Sequence, residues 1–220
     1  MDTPETLALD ALAAPSAGDP AAPDVADAGS QGASEDPAIT LLVDRAKAGD
    51  PDAFADLMRT YESRIIALGI HMGLSRDDAM DACQDAFVRV FKHIARFESG
   101  RIFFKWLYRI AIHSVYHQMG RNRRHAGVSI DDPAIQPQLL DRSAGGSVQA
   151  RVEERQLAGR VQECLAGLTR QERIVFVLRD LQEVPTDEIG TILRLSTITV
   201  RRHCMSARQK LRERILSRKR

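Results

Sequence analysis

The sequence of 220 residues has few cysteines, few aromatic residues and no long apolar run. Its three cysteines lie far apart without a CxxC pair, which argues against a disulfide framework and a structural zinc site and favours a reducing cytoplasm. No stretch reaches the roughly 18 apolar residues of a transmembrane helix, so we expect no membrane insertion. We expect no secretory signal either, because no basic segment followed by an apolar core stands near the N-terminus.

Basic residues are missing from residues 1–38, where eight acidic residues occur without a lysine or an arginine. Residues 39–220 therefore hold 31 basic and 22 acidic side chains, a net charge of +9, which indicates a polyanionic partner. Residues 1–37 are rich in Ala, Pro, Asp, Gly and Ser and are predicted to form a disordered acidic leader, because they cannot bury enough apolar surface to offset the entropy of ordering. This leader is either a solvated tail or a segment that covers the basic body.

Apolar residues recur at helical spacing along most of the chain, and no segment shows the alternation of a strand. We predict an all-α protein with two small helical domains, residues 38–125 and 148–220, joined by a flexible linker over residues 126–147. Helix-start signals support this division, notably Asp50 followed by Pro51 and the capping pair Thr169 and Glu172. Core positions are expected to include three aromatic residues and all three cysteines, which favours packing over redox sensing for the thiols: Phe87, Phe91, Phe103, Cys83, Cys164 and Cys204.

The last two predicted helices have the proportions of a helix-turn-helix. A short helix over residues 186–193 and a three-residue turn precede a longer helix, which begins after Ser196. Between Arg194 and Arg220 there are ten basic residues and one acid, as expected of a helix that binds duplex DNA. The alternative is a solvated, charged helix of a bundle. Polar donors for base edges and cations for phosphates stand in the first turns: Thr197, Thr199, Arg201, Arg202 and His203.

Aromatic residues are only 5% of the chain, yet eight of the eleven lie between Phe87 and Tyr116. Single-stranded nucleic acid is bound by ring faces that stack on bases and by cations along the backbone. Most of these rings are expected in the core, but Trp106 and Tyr108 cannot both lie on the apolar helix face, so at least one is a candidate for base contact. The interleaved cations are Arg101, Lys105, Arg109 and Arg121. The combination suits a protein that opens DNA at a chosen site.

Three segments, in this order, resemble those of an extracytoplasmic-function (ECF) sigma factor. They are Asp81-Ala-Cys-Gln84-Asp85-Ala-Phe87, Phe103-Phe-Lys-Trp-Leu-Tyr-Arg-Ile-Ala111, and Leu168-Thr-Arg-Gln-Glu-Arg173 together with Asp187-Glu-Ile189 and Thr199-Val-Arg201. The resemblance covers about residues 39–218. It implies a non-enzymatic protein that binds core RNA polymerase, recognises the −10 and −35 promoter elements and promotes melting of promoter DNA. It also implies an anti-sigma factor as a further partner.

The resemblance also implies roles for individual residues. The residues expected to bind core polymerase are Asp81, Gln84 and Asp85. The residues expected to bind the −10 element, as duplex and as melted strand, are Phe97, Arg101, Lys105, Trp106, Tyr108, Arg109, His113, His117, Arg121 and Arg124. The residues expected to bind the −35 element are Ser196, Thr197, Thr199, Arg201, Arg202, His203 and Arg208.

Some positions depart from the family pattern. His113 and His117 stand where Asn and Asp are frequent, Arg194 and Ile198 where Gly is common, and Gly190 where Ala is usual. The two histidines have a spacing that permits metal binding, but no acid or cysteine stands near them, so we expect no metal and no cofactor. Two other functions are open: a stand-alone helix-turn-helix regulator, which leaves the segment around Asp81 without a role, and an enzyme acting on nucleic acid, for which no catalytic cluster is present.

Overall fold

The computed structural model describes residues 35–125, 159 and 161–217, and all regular secondary structure within these residues is helical. The first group of helices is α1 (Pro37–Lys47), α2 (Pro51–His71), α3 (Arg76–His93, followed by a 3-10 turn, Ile94–Arg96) and α4 (Phe103–His125). After a helical segment over residues 161–165, the second group is α5 (Arg170–Phe176, continued by a π turn, Val177–Leu181), α6 (Thr186–Leu193) and α7 (Thr197–Ser217). The all-α prediction is confirmed.

The first two helices begin in the same way, with an aspartate cap followed by proline. The Asp36 carboxylate accepts a hydrogen bond from the Ala38 amide at 2.9 Å, and the Asp50 carboxylate accepts from the amides of Asp52 and Ala53. The predicted leader, residues 1–37, therefore extends too far, because α1 already starts at Pro37. Residues 1–34, the predicted linker and most of the predicted helix from residue 148 lie outside the described residues.

Helices α1 to α4 form an N-terminal unit in which α3 packs against both α2 and α4. Its core is made of side chains such as Leu57, Ile65 and Phe87 that are almost completely buried. A polar contact adds to this packing, because the Asp78 carboxylate on α3 accepts hydrogen bonds from Gln118 and Asn122 on α4 at 2.8 and 2.9 Å. Hydrogen bonds from Ser75 and these two residues lower the pKa of Asp78 despite the opposing effect of burial.

The C-terminal unit is built on α7, which packs against α5 and α6. Val200, Cys204 and Ala207 form the buried side of α7, and Leu211 joins Leu165 and Leu168 in a small separate cluster. The larger core is continuous between the two units, because α4 of the first packs against α6 of the second.

One expectation about the core is wrong: Phe91 on α3 is 64% exposed, and its ring meets the ring of Phe54 edge-on, with 5.2 Å between the centroids. Cys83 and Cys204 are buried as expected, and Cys164 is half-buried and packs against the cluster of Leu165 and Leu168. No described helix is both long enough and apolar enough to span a membrane.

Candidate nucleic-acid interface

The turn between α6 and α7 is held by its backbone. Arg194 adopts the left-handed conformation, with φ 55° and ψ 42°, and the Leu195 amide donates to the Gly190 carbonyl at 2.9 Å. A Cβ atom at position 190 would lie 2.8 Å from the Leu195 carbonyl oxygen. Gly190 thus permits the close approach of the Leu195 carbonyl, which an alanine at position 190 would oppose. The positive φ of the turn is taken by Arg194, although glycine adopts that conformation more easily.

Ser196 caps the helix that follows this turn. Its hydroxyl accepts from the Thr199 amide at 3.1 Å and lies 2.8 Å from the Thr199 hydroxyl. The predicted −35 contacts Ser196, Thr197, Arg201 and Arg202 are exposed, whereas Thr199 and His203 are half-buried. The same outward side contains two apolar residues, Ile198 and Met205, which are 78% and 72% exposed. The sequence marks Ile198 only as a departure from the family pattern and gives no signal for Met205.

Arg208 differs from the other predicted −35 residues because an acid already binds it. Its Nε donates to the Asp180 carboxylate at 3.1 Å, and this bond raises the pKa of Arg208. Asp180 lies on the π turn and also accepts from the Cys204 thiol. Arg208 therefore links α7 to the turn within the unit, and a phosphate would have to compete with Asp180.

Glu172 fixes α7 against α5. It caps the start of α5 together with Thr169, and it accepts hydrogen bonds from Ser206 at 2.6 Å and from Lys210 at 2.8 Å, both on α7. Burial opposes ionisation, but these hydrogen bonds prevail and lower the pKa of Glu172 to about 2. The sequence revealed the cap through the spacing of Thr169 and Glu172; the bonds to α7 leave no such local signal.

The aromatic cluster lies around the start of α4. The ring of Phe97 packs edge-on against Phe103, with 5.7 Å between the centroids, and at a tilt against Trp106, with 5.0 Å between them. The rings of Phe104 and Tyr108 also pack at a tilt, with a centroid distance of 4.2 Å. Trp106 keeps a half-exposed surface. It is therefore the ring of this cluster that both belongs to the predicted −10 set and remains accessible.

Three other predicted −10 residues are buried, and the expectation that they face nucleic acid is corrected for this conformation. Phe97 is 7% exposed, Lys105 5% and Tyr108 0%. Phe97 and Tyr108 are covered by neighbouring rings. Burial raises the pKa of the Glu188 carboxyl on α6, and the charge of the nearby Lys105 opposes this rise, so Lys105 lies beside the C-terminal unit.

The remaining predicted −10 residues form an edge along α4. Arg109, His113, His117 and Arg121 follow one another at four-residue spacing, and all but the half-buried His113 are exposed, as are Arg101 and Arg124. Burial, together with the nearby Arg89, lowers the pKa of His113, whose Nδ1 lies 3.3 Å from the Arg89 guanidinium. This edge suits a polyanion. The part of the chain that the structure describes contains no cluster of three metal-ligating side chains, at His113 or elsewhere.

Glu35 makes a contact that the sequence analysis missed. Its two carboxylate oxygens accept from the backbone amides of Phe103 and Phe104, at 2.8 and 3.0 Å, at the start of α4. These amides have no partner within the helix, so the glutamate caps α4 from 68 residues away. The composition places this residue in the acidic leader, and its distance along the chain hides the contact.

The exposed face of α3 combines acidic and apolar residues. Asp81 and Gln84 are exposed as predicted, and Met80, Val88 and Phe91 are 48%, 45% and 64% exposed beside them. Asp85 is different: its carboxylate binds Arg89 at 3.1 Å and accepts from the buried Ser114 of α4 at 3.3 Å. It therefore contributes to packing between α3 and α4, and the face offered to a partner is more apolar than the sequence suggested.

Comparison with known proteins gives two family matches. The family described as Sigma-70 region 2 matches residues 57–125, and the family described as Sigma-70, region 4 matches residues 158–211. The chain is 27% identical to the ECF RNA polymerase sigma factor SigW of Bacillus subtilis, over 80% of this chain and 96% of that protein. It is 26% identical to the ECF RNA polymerase sigma-E factor of Escherichia coli, over 77% of this chain and 90% of the relative.

Solved structures show the same fold. CnrH in complex with the cytosolic domain of CnrY matches with a TM-score of 0.63 and 24% identity, covering 82% of this chain and 98% of that one. The sigma factor RpoE of Bartonella quintana, solved with the anti-sigma factor NepR, matches with a TM-score of 0.56 and 20% identity over 73% of this chain and 94% of that one.

Proposed function

Because the chain belongs to the ECF group of the sigma-70 family and functions as an RNA polymerase sigma factor, we propose a division of labour between its two units. The N-terminal unit, within residues 38–125, docks on core polymerase and binds the −10 element. The C-terminal unit, within residues 148–220, binds the −35 element. Sigma factors act as initiation factors, and we assign no catalytic step to this chain.

Recognition of the −35 element is assigned to the start of α7. The single observation that supports this best is the outward row of Ser196, Thr197, Arg201 and Arg202 on a capped helix directly after a helix-turn-helix turn. In such units the N-terminal residues of the second helix reach base edges in the major groove, and the cations bind phosphates. Arg208, held by Asp180, is proposed to orient α7 and to contact DNA less directly.

Recognition and melting of the −10 element are assigned to the start and the basic edge of α4. Trp106 supplies the accessible ring for an unstacked base, and Arg109, His117, Arg121 and Arg124 follow the strand. Arg109 can do so only when its bond to the Thr191 carbonyl of α6 breaks, and Lys105 can join them only if the C-terminal unit moves away from α4. Tyr108 is covered within its own unit, by Phe104 and Arg64.

Docking on core polymerase is assigned to the exposed face of α3. Asp81 and Gln84 provide polar contacts, and Met80, Val88 and Phe91 provide the apolar area that a protein interface needs at its centre. The acidic side chain would repel DNA, which separates this face from the basic edge of α4.

An anti-sigma factor is a further proposed partner, because CnrH and RpoE were each solved with a bound protein, named as an anti-sigma factor for RpoE. Since core polymerase is cytoplasmic, we propose that the chain acts there. The second candidate, a stand-alone regulator acting through α6 and α7, is less favoured because it gives no role to the exposed apolar residues of α3.

The test of polymerase docking replaces Asp81 and Gln84 together with arginine. We expect retention by immobilised core polymerase to be lost while the circular dichroism spectrum stays unchanged, since both side chains are exposed. Asp85 is left intact, because replacing it would break its bonds to Arg89 and Ser114 and disturb the packing of α3 on α4. The control is Thr40→Arg with Asp44→Arg, which makes the same charge change on exposed positions of α1. Retention of the α3 variant at wild-type affinity would contradict the assignment.

A further inference from the structure

Ile198 and Met205 are the two most exposed of the four large apolar side chains that α7 presents to solvent. Ile198 is 78% exposed and Met205 is 72% exposed, more than the other large hydrophobic residues in the described part of the chain. They stand seven residues apart and therefore on one side of the helix, with Arg201 and Arg202 between them. The opposite side of the helix, at Val200, Cys204 and Ala207, is buried, so Ile198 has no route into the core.

The geometry of the first turn fixes the direction of Ile198. The Ser196 cap binds the Thr199 amide, and this determines how the first turn of α7 leaves the helix-turn-helix turn. Isoleucine is branched at Cβ and has one strongly preferred χ1 rotamer in a helix. The side chain is thus held outward beside Thr197, at a position where the family commonly has glycine.

We propose that Ile198 is a specificity-determining residue, which recognises the 5-methyl group of a thymine in the −35 duplex. The proposal rests on the proposed role of α7 in −35 binding. The surrounding charge favours DNA as the partner, because residues 194–220 contain ten basic side chains and one acidic one. In the major groove, the apolar group that a base pair presents is the thymine methyl.

The experiment starts from duplexes selected from a random −35 pool by holoenzyme reconstituted with the full chain. Each thymine of the selected site is then replaced by deoxyuridine, which removes only the methyl group. With the wild-type chain, one replacement should weaken binding about fourfold, the factor expected for burying one methyl-sized group. With Ile198→Ala, the same replacement should have no effect, because the methyl has lost its partner. Met205→Ala serves as the matched control and should keep the deoxyuridine effect at that position.

The outcomes separate this inference from the function on which it rests. Equal deoxyuridine effects for the wild type and Ile198→Ala would overturn the role of Ile198 and leave −35 binding intact. Failure of the selection to enrich any sequence would overturn the assignment of α7 to −35 binding. Loss of core-polymerase retention in Ile198→Ala, with unchanged DNA binding, would identify the exposed residues as a protein-docking surface and would also overturn the proposal.

A second inference comes from the contacts between the two units. Arg64 on α2 donates to the Gln182 carbonyl at 3.0 Å, and the Gln182 side chain donates to the Arg64 carbonyl at 2.8 Å. Near the C-terminal end of α2, Arg173 donates to the His71 carbonyl at 2.6 Å, and Gln162 donates to the Ile70 carbonyl at 2.9 Å. In addition, Arg109 on α4 donates to the Thr191 carbonyl of α6 at 2.9 Å.

These contacts occupy part of the proposed −10 surface. Arg109 is bonded to α6, and Lys105 is buried beside Glu188 of the same helix. Arg64 lies over the rings of Phe104 and Tyr108, with its central carbon 5.5 and 6.0 Å from their centroids. A DNA strand that used Lys105 or Arg109 would therefore have to displace the C-terminal unit.

We infer that the free chain is closed, in the sense that its own C-terminal unit covers the part of α4 around Lys105 and Arg109. This closed arrangement weakens the binding of single-stranded DNA. This inference also rests on the proposed function, since it assigns the covered surface to the −10 strand. The continuous core and the hydrogen bonds at Arg64 and at Arg173 give the closed arrangement a defined geometry.

The test measures the distance between spin labels at Asp44→Cys and Glu213→Cys, both exposed positions, in the full chain with Cys164→Ser. The remaining thiols of Cys83 and Cys204 are buried and react poorly. The otherwise unchanged chain should show one narrow distance. Arg64→Ala with Gln182→Ala should add a longer one, with the open form about fivefold more populated for each hydrogen bond lost. Binding of short single-stranded oligonucleotides of random sequence, measured by anisotropy, should tighten in parallel.

The control is Arg59→Ala, which removes the same charge from the same helix but breaks an ion pair only with Asp56. It should change neither the distance nor the oligonucleotide affinity. A broad distance distribution in the labelled chain that keeps Arg64 and Gln182 would overturn the closed arrangement. A longer distance in the Arg64→Ala, Gln182→Ala variant with unchanged oligonucleotide affinity would overturn the effect of closure on DNA binding. Both readouts are made without polymerase, so failure of the sigma-factor assignment would appear separately, in transcription assays.

Discussion

At the scale of single residues, Glu172 shows how a buried charge positions α7, the helix to which we assign −35 binding. Its side chain is 7% exposed, yet the hydrogen bonds from Lys210 and Ser206 keep it ionised. Those two donors lie on consecutive turns of α7, so the carboxylate fixes both the rotation and the position of that helix relative to α5. A substitution here acts on DNA binding through α7 and on stability directly.

We predict that Glu172→Gln lowers the free energy of unfolding by about 2–3 kcal/mol, because it replaces charge-assisted hydrogen bonds by neutral ones in a buried place. The folded-state pKa is about 2, below the unfolded value near 4.5. The stabilisation is therefore complete above pH 4.5 and is lost as the pH falls toward 2. Urea unfolding across this range should show a weaker pH dependence in the variant. Glu213→Gln, at an exposed position of α7, should leave the dependence unchanged.

Residue-scale predictions from the sequence failed where exposure depends on neighbouring elements. Tyr108 and Lys105 lie on the same helix as the exposed Arg109, but packing buries them. Phe91 fits the apolar spacing of α3 and still faces solvent. The width of a buried helix face is set by the helices around it, and a sequence pattern gives only the centre of that face.

At the scale of elements, the helix-turn-helix turn differs from the family pattern at two positions, Gly190 and Arg194. Arg194 takes a positive φ, where glycine is usual, and Gly190 lets the Leu195 carbonyl come close, where alanine is usual. From the sequence, Gly190 stands out only as a weak helix former. The structure shows a steric reason for it.

We predict that Gly190→Ala destabilises the protein by about 1–3 kcal/mol, because the added methyl group must displace the Leu195 carbonyl from its present position. The measurement is the midpoint of thermal unfolding. Gly120→Ala is the matched control: this glycine is also helical, a methyl group added there would meet no atom within 4 Å, and the change should raise stability by about 1 kcal/mol. A stabilising effect at position 190 would show that the turn can relax.

Helix starts are the elements most accurately predicted from the sequence. The predicted caps at Asp50 and Thr169 use contacts between residues two or three positions apart, and local contacts leave local signals. The cap that Glu35 provides to α4 spans 68 residues and leaves none. The π turn after α5, Val177–Leu181, also leaves no local signal in the sequence.

At the scale of the whole molecule, acidic and basic side chains of the described residues lie on separate surfaces. Acidic and apolar residues share the outer face of α3, while basic residues line α4 and α7. The all-α fold and the sigma-factor function were both predicted from sequence. The packing of α4 against α6 was not, because it depends on how two units meet and not on the pattern within either one.

The most direct test of the account is run-off transcription with purified core polymerase, with and without this chain, on a pool of templates that vary at the −35 and −10 positions. We predict transcripts that require the chain and start at a fixed distance from one enriched pair of elements. Arg201→Ala with Arg202→Ala should reduce them, because two exposed cations near the start of α7 are lost. A chain that binds duplex DNA but neither associates with core polymerase nor yields such transcripts would contradict the central claim and identify a stand-alone regulator.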